Sequence, residues 1–160
     1  MRTLRIVPVL LALLLSTAAQ TKEAVGVYPE DFDNLYLTVE NIGDFERLNE
    51  GQRVAFCILL LEMEVNNGGF HQFFSNSSGY FVPETILALK RIGADTTAAI
   101  LERAIAIAYP NGFPDDRNQY EEALRFDDAV LDELDRVDSA FYGYEDDLTS
   151  LVNDYLRNAP

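Results

Sequence analysis

A sixteen-residue segment from Glu64 to Gly79 constrains the fold of this chain more than any other part of the sequence. It reads Glu-Val-Asn-Asn-Gly-Gly-Phe-His-Gln-Phe-Phe-Ser-Asn-Ser-Ser-Gly and follows an apolar run. Three phenylalanines are out of place in a flexible linker, and adjacent glycines are unfavourable inside a helix. The segment therefore predicts a helix that stops, a sharp turn, and a second helix that packs against the core.

Each residue type in this segment has a predicted structural role. Asn66 or Asn67 is expected to end the first helix, and Gly68 to adopt the positive φ that follows a helix cap. Gly69 would let the next helix begin at once, with its backbone closely packed. The following phenylalanines are spaced three and one apart, share one helix face and should fill the core: Phe70, Phe73 and Phe74. His71 falls on the opposite side, nearer solvent.

Helical periodicity extends over most of the chain. From Tyr28 onward apolar residues recur at helical spacing, and no run alternates apolar and polar residues as strands do. Helices are expected at about 31–40, 49–65, 70–74, 83–92, 95–108, 115–124, 127–142 and 145–156. Asn49 and Gln52 have capping-box spacing, Asp95 or Thr96 could cap the fifth helix, and Gly43 should break the first. The sequence predicts an all-α fold, a single compact bundle of about seven to eight short helices.

The first nineteen residues have the three-part pattern of a secretory signal peptide. Arg2 and Arg5 form a basic start, residues 6–15 are apolar, and residues 16–19 are small. An apolar run of ten is short for a membrane span of about 20, so we expect cleavage rather than anchoring. A flexible lead-in at 20–27 and an acidic helical domain at 28–157 would follow. We predict an exported protein, periplasmic or secreted, with no membrane contact after cleavage.

Composition limits the classes of function. The chain has 27 acidic and 12 basic residues, and a net charge of −15. Such a charge disfavours direct contact with nucleic acid or anionic membranes, because both are polyanions, and favours a basic protein surface as the partner. One histidine and one cysteine cannot build a His- or Cys-rich metal site, and no Gly-x-Ser-x-Gly elbow is present. We therefore predict no catalytic residues, metal ligands or cofactor.

The negative charge is concentrated towards the C-terminus. Between Asp115 and Asp154, fourteen acidic residues accompany three basic ones, a net charge of −11. The candidate partner-binding residues are carboxylates of the predicted helix 127–142 and of the turn after it: Asp127, Asp128, Asp132, Asp135, Asp138, Glu145, Asp146 and Asp147. Those on the helix are predicted to face away from its apolar stripe, and neighbours three or four apart stand about 5–6 Å from each other. That is the scale of adjacent phosphates on one DNA strand, although this face could also be merely solvated.

The sixteen-residue segment is similar to the signature of the bacterial DNA-mimic protein family, whose shared domain is otherwise of unknown function. The similarity continues through Leu87–Ala94, through Ala104–Ala108 with its Pro-Asn-Gly loop, and through Asp138–Tyr142. It covers about residues 28–156. This resemblance implies an all-helical acidic domain. The best-understood type forms a dimer, imitates duplex DNA and occupies the DNA-binding surface of a transcription factor.

These observations predict an exported, non-enzymatic interaction domain that binds a basic protein surface, that of a DNA-binding protein or a toxin. Export separates the chain from a cytoplasmic transcription factor, so an immunity-like inhibitor of a toxin is one alternative. A small-molecule-binding or hydrolytic domain is another, and it would use His71 with Gln72, Asn66 and Asn67. A structural envelope protein, in which the charge serves solubility alone, is the third.

Overall fold

The computed structural model describes residue 39 and residues 42–158. Seven α-helices occur in this part: α1 Ile42–Arg47, α2 Glu50–Ser75, α3 Val82–Ile92, α4 Asp95–Ala108, α5 Tyr120–Ala123, α6 Asp128–Phe141 and α7 Leu148–Asn158. Two short 3-10 helices, Ser77–Phe81 and Arg117–Gln119, complete it, and no strand occurs among the described residues. The predicted all-α class is confirmed. The expected signal peptide, the lead-in and most of the expected helix 31–40 lie outside the described residues.

The long helix α2 forms the centre of the fold. It begins with the predicted capping box, in which Asn49 Oδ1 accepts from Gln52 N at 2.9 Å and Gln52 Oε1 accepts from Asn49 N at 3.0 Å. Its apolar side chains are buried nearly all round from Val54 to Leu61. Helices α3, α6 and α7 and the first 3-10 helix pack against it, and α4 packs on α6. A helix without a wide polar face is stable only when it is enclosed in this way.

Two helix ends lie where the sequence predicts them. Pro83 occupies the first turn of α3, where its missing N–H costs nothing. Gly93 ends that helix in the left-handed conformation, with φ 78°, and its N–H donates to Leu89 O and Lys90 O. Both helix ends are therefore determined by residues of the local sequence.

Other boundaries differ from the prediction. Gly43 lies in the first turn of α1, whose Phe45 packs against Phe56 and Phe81 with ring centroids 5.2–5.7 Å away, whereas the expected helix that Gly43 was predicted to end lies mostly outside the described residues. The expected helix 115–124 is a 3-10 turn followed by the single turn of α5, since Asp116 caps Asn118 N and Leu124 is extended. Among the described helices, none is both long and apolar enough to cross a membrane.

Candidate functional site

The Gly-Gly corner, defined as residues 64–76, bends the central helix. Gly68 (φ −158°, ψ 26°) and Gly69 (φ 72°, ψ −176°) are both non-helical, so the two arms of α2 meet at a kink. The positive φ therefore falls at Gly69 and not at Gly68, where the sequence interpretation placed it. The Gly69 conformation belongs to a region that essentially only glycine adopts. The corner is a fixed backbone bend that requires this glycine.

Asp138 of α6 closes the corner from outside. Its Oδ1 accepts a hydrogen bond from Phe70 N at 2.8 Å, and a Cβ on Gly69 would lie only 2.1 Å from its Oδ2. The residue is 8% exposed, and desolvation raises the pKa of its carboxyl, against the lowering effect of the Phe70 N–H. The expected exposure of Asp138 on the acidic face is therefore wrong. On a helical wheel it lies about 80° from Asp128, towards the apolar stripe.

A second buried carboxylate holds the corner from inside. Glu64 is 7% exposed, and its Oε2 accepts from Gln72 Nε2 at 2.7 Å and from Asn76 Nδ2 at 2.9 Å. These bonds span the bend, so they fix the angle between its two arms. No such role was predicted for Glu64 from the sequence. The available signal was a carboxylate in an apolar helix, with amide side chains eight and twelve residues later.

The predicted aromatic anchor is confirmed. Its three members are fully buried: Phe70, Phe73 and Phe74. The ring of Phe70 packs edge-on against Phe141 of α6 at 5.8 Å, and that of Phe74 against Tyr109 at 5.5 Å.

Polar contacts tie the end of α6 to the same corner. The Tyr142 hydroxyl donates to Val65 O at 2.9 Å, and Asn66 Nδ2 donates to the Tyr144 hydroxyl at 2.5 Å. Tyr144 has a positive φ of 45°, which is unusual for a residue other than glycine. Asn67 is exposed at the bend. The corner and the C-terminal end of α6 are thus one packed unit.

The acidic row consists of Asp128, Asp132 and Asp135, all exposed on α6. They face away from the buried residues of the helix, Leu134, Val137 and Phe141. With a rise of 1.5 Å per residue, their successive heights along the axis differ by about 6 and 4.5 Å. Within the described part of the chain, no ion pair and no side-chain hydrogen bond engages them. The row is a line of carboxylates open to an outside partner.

Of the remaining candidate partner-binding residues, some make structural contacts and one is exposed. Asp127 caps α6 by accepting from Val130 N at 3.0 Å, and Asp147 caps α7 by accepting from Ser150 N at 3.0 Å and Ser150 Oγ at 2.7 Å. The hydroxyl of Ser150, and then its N–H, lower the pKa of Asp147. Glu145 is exposed, and its side chain forms no hydrogen bond or ion pair with another described residue.

Asp146 makes a long-range cap. Its Oδ2 accepts from Thr97 N at 2.7 Å, in the first turn of α4. The predicted capping of this helix by Asp95 or Thr96 is wrong, because Ala94 occupies the N-cap position and caps through no side chain. A carboxylate forty-nine residues away supplies the missing acceptor, and no local pattern could have indicated it.

The residues considered for catalysis lie apart. His71 is exposed, and its ring packs edge-on against Phe126 with centroids 4.6 Å apart. Cys57 is buried, and burial raises the pKa of its thiol well above the ordinary range. Among the described residues, no group of three or more His, Cys, Asp and Glu side chains could hold a metal ion.

Comparison with known proteins supplies the family. No curated protein and no solved structure matches the chain. A family model described as DMP19-like protein matches residues 46–159, well over half of the sequence. The match includes the Gly-Gly corner, the acidic row and α7, and it is the DNA-mimic family that the motif resembles. The chain belongs to the DMP19-like protein family.

Proposed function

We propose that this protein is a non-enzymatic DNA mimic whose acidic row, together with Glu145 of the turn after α6, binds the basic surface of another protein. The observation that carries the proposal is the alignment of three exposed carboxylates on one helix, none of which forms an ion pair with a described residue, although Arg136 is on the same helix. Membership of the DMP19-like family suggests a protein of the DNA-mimic type.

Electrostatics favours this use of the row. Like charges three or four residues apart destabilise a helix by about 0.2–0.5 kcal/mol per pair. The row therefore costs stability in the isolated protein, and a cationic partner would reverse that cost. The surrounding stretch 115–154 carries −11, so its field attracts a basic surface over distances up to about one Debye length.

The packing behind the row supports recognition as well as attraction. Asp138, Tyr142 and the Phe70–Phe141 contact fix the C-terminal half of α6 on the central helix. Helix α4 packs on α6 as well. The carboxylates are thus mounted on a rigid element, which reduces the ordering entropy that binding costs. DNA phosphates likewise project from a stiff backbone.

Localisation determines the class of partner. The N-terminal pattern predicts export, so we propose that the mature protein meets its target outside the cytoplasm. A secreted basic toxin then fits best, and the protein would act as an immunity-like inhibitor. Fractionation of cells and N-terminal sequencing of the mature chain test this step. An uncleaved cytoplasmic chain would instead favour a cytoplasmic DNA-binding protein.

Affinity measurements with matched variants test the docking surface. Full-length mature protein is used to capture partners at about 50 and 500 mM salt, and the dissociation constant of each captured basic protein is then measured. Asp132→Asn combined with Asp135→Asn removes two charges from the row. Glu46→Gln combined with Asp115→Asn removes two exposed charges from other elements.

The row variant should bind about tenfold more weakly or worse, and the control variant within about twofold of wild type. Equal weakening by both variants would show that net charge, not the row, governs binding, and would overturn the proposal. Binding that is indifferent to salt would overturn it too. Sedimentation of the same samples tests the dimer that the family resemblance implies.

A further inference from the structure

Three exposed side chains with large apolar surfaces lie near one another where α6 ends beside the central helix. They form the tyrosine patch, Met63, Tyr142 and Tyr144, whose exposed fractions are 36%, 47% and 44%. Among the described residues, only one other large apolar side chain is exposed, Leu87 of α3. A single exposed apolar side chain is ordinary on a protein surface, whereas a group of them indicates an interaction site.

Two hydrogen bonds to α2 hold the members of the patch together. The Tyr142 hydroxyl donates to Val65 O at 2.9 Å, and the Tyr144 hydroxyl accepts from Asn66 Nδ2. Met63 lies one turn before Asn66 on α2, and both residues are exposed. Helix neighbours three residues apart share a face, so Met63 lies beside Asn66 and at the edge of the patch.

The two tyrosine rings are fixed from behind by the core. The ring of the buried Phe141 has its centroid 6.3 Å from that of Tyr142 and 5.6 Å from that of Tyr144. Both tyrosine hydroxyls have partners within the protein, so the aromatic surface is what the patch offers to another molecule. Rings that are already held in place lose little conformational entropy when a partner covers them.

The patch continues the face of α6 that carries the acidic row. Asp128, Asp132, Asp135, Ser139 and Tyr142 follow one another at spacings of four, three, four and three residues, and all are exposed. These spacings keep them within about 80° of one another around the helix. The small Ser139 side chain folds back and donates to Asp135 O at 3.1 Å. A gap over Ser139 therefore separates the last carboxylate of the row from the first ring of the patch, which is about 10 Å further along the axis.

The groups on either side of this gap favour a guanidinium ion. A guanidinium is planar and weakly hydrated, so it can donate to a carboxylate while its face stacks on an aromatic ring, whereas a lysine ammonium is a compact and strongly hydrated charge. The carboxylate and the ring also act on the same region: burial, and then the negative charges of Asp138 and Asp135, raise the pKa of Tyr142. A cation above Ser139 would be attracted by both groups.

We propose that the tyrosine patch binds an arginine side chain of the partner, with the guanidinium stacked on the ring of Tyr142 and hydrogen-bonded to the Asp135 carboxylate. This inference rests on the proposed function, since the arginine belongs to the basic protein that the acidic row binds. It narrows the partner to one that presents an arginine, and not a lysine, beside the cations that face the row. Tyr144 and Met63 then exclude water from this contact.

Two end-blocked peptides of equal charge, hexa-arginine and hexa-lysine, serve as probes for the full-length mature protein. Their dissociation constants are measured by calorimetry at about 50 mM salt. Wild type should bind hexa-arginine at least about fivefold more tightly than hexa-lysine, and Tyr142→Leu should reduce this ratio at least about threefold. Tyr142→Phe should keep the ratio within about twofold of wild type, because it keeps the ring. Both Tyr142 variants lose the hydrogen bond to Val65 O, so the difference between them isolates the ring.

Leu87→Ala is the matched control for the patch. It removes an exposed apolar side chain from α3 and should leave both dissociation constants unchanged. A ratio that falls equally in Leu87→Ala and Tyr142→Leu, or that Tyr142→Leu leaves unchanged, would overturn the inference.

Nuclear magnetic resonance of the tyrosine ring protons locates the contact in the wild-type protein. The Tyr142 signals are assigned as those absent from the Tyr142→Leu spectrum. They should shift when hexa-arginine is added, while those of the buried Tyr109 stay in place. Tyr142 signals that do not move on binding would overturn the inference, since the side chain would then act only through the fold.

A variant of the row separates this inference from the proposed function. Asp128→Asn combined with Asp132→Asn should weaken the binding of both peptides by the same factor and leave their ratio unchanged. Equal affinity of wild type for the two peptides, with weaker binding by the row variant, would overturn the arginine site alone. A preference for hexa-arginine with no weakening in the row variant would support the arginine site and overturn the role of the row. Self-association that Tyr142→Leu abolishes would assign the patch to a second copy and overturn the inference.

Discussion

At the C-terminal end of α6, Asp138 is 8% exposed and holds the Phe70 N–H at 2.8 Å, whereas Asp132 and Asp135 on the same helix are exposed and unpaired among the described residues. The side chains are identical and the separation is one to two turns. The difference is that Asp138 faces a backbone donor, Phe70 N, and the closely packed Gly69, whereas no such groups face Asp132 and Asp135 among the described residues. Counting carboxylates on an acidic helix therefore does not delimit its binding surface.

The Gly-Gly corner shows what buried carboxylates accomplish in this fold. Glu64 joins its two arms from inside, and Asp138 caps the second arm from α6. Both act on neighbouring polar groups that would otherwise be unsatisfied. The sequence signature of the family thus describes a structural bend, while the proposed binding chemistry lies on a surface without such contacts.

The largest expected effect comes from Gly69→Ala. The Gly69 conformation is closed to alanine at a cost of about 1–3 kcal/mol, and the new methyl group would displace the Asp138 carboxylate. We expect a loss of about 3–5 kcal/mol in the free energy of unfolding, measured with urea. Gly93→Ala is the control, since it also has a positive φ but nothing within 4 Å of the added Cβ. A loss of only about 1 kcal/mol is expected there. Equal losses would show that the corner contact with Asp138 contributes nothing.

A smaller effect is expected for Asp138→Ala. It leaves the buried Phe70 N–H without an acceptor, which costs about 2–3 kcal/mol of unfolding free energy. Asp138→Asn keeps an acceptor oxygen and should lose about half as much. In contrast, Asp128→Ala should change stability by no more than about 0.5 kcal/mol. If Asp128→Ala were as destabilising as Asp138→Ala, the distinction between the two regions would fail.

The pH dependence should have opposite signs at Asp138 and Asp147. The pKa of Asp138 is raised above 3.8, so the folded state binds its proton more tightly than the unfolded state. Its contribution, measured against Asp138→Asn, should fall as pH rises through the window above 3.8. The pKa of Asp147 is lowered, so its contribution, measured against Asp147→Asn, is present above 3.8 and is lost as pH falls below that value. Urea titrations from about pH 3 to 7 test both slopes. Slopes of the same sign for the two residues would contradict the opposite pKa shifts of Asp138 and Asp147.

The smallest effect on stability is expected for the acidic row itself. Asp128→Asn, Asp132→Asn and Asp135→Asn together should leave the free energy of unfolding unchanged or raise it by about 0.5 kcal/mol, because repulsion is relieved. Any gain should vanish in about 1 M salt, where the Debye length is near 3 Å. A clear loss of stability in the triple variant would mean that these carboxylates have structural partners.

Local chemistry explains what the sequence could predict. The capping box at Asn49, the stop at Gly93 and the burial of Phe70 each depend on residues a few positions apart. Such features are encoded in spacing, so the all-α class followed from them. The central position of α2 followed from its lack of a polar face.

Contacts between distant residues explain what it could not. Asp138 was expected to be exposed, since a local pattern cannot reveal a partner as distant along the chain as the Phe70 N–H, which is sixty-eight residues away. The same holds for Asp146, which caps α4 across forty-nine residues. The sequence alone does not show whether Gly68 or Gly69 adopts the positive φ, because the contact between Gly69 and Asp138 of α6 is a long-range one. Of the candidate partner-binding residues, only four lack a structural contact in the described part: Asp128, Asp132, Asp135 and Glu145.

The cap that Asp146 provides for α4 also has a kinetic consequence. The connection between α6 and α7 is held at Asp146 by α4, at Asp147 by α7 and at Tyr144 by Asn66, so it has little freedom to rearrange. A partner that binds as proposed would meet a surface already in its final shape. The two proteins would then associate without rearrangement, and electrostatic steering would set the association rate constant. Added salt would lower the association rate constant more than it raises the dissociation rate constant.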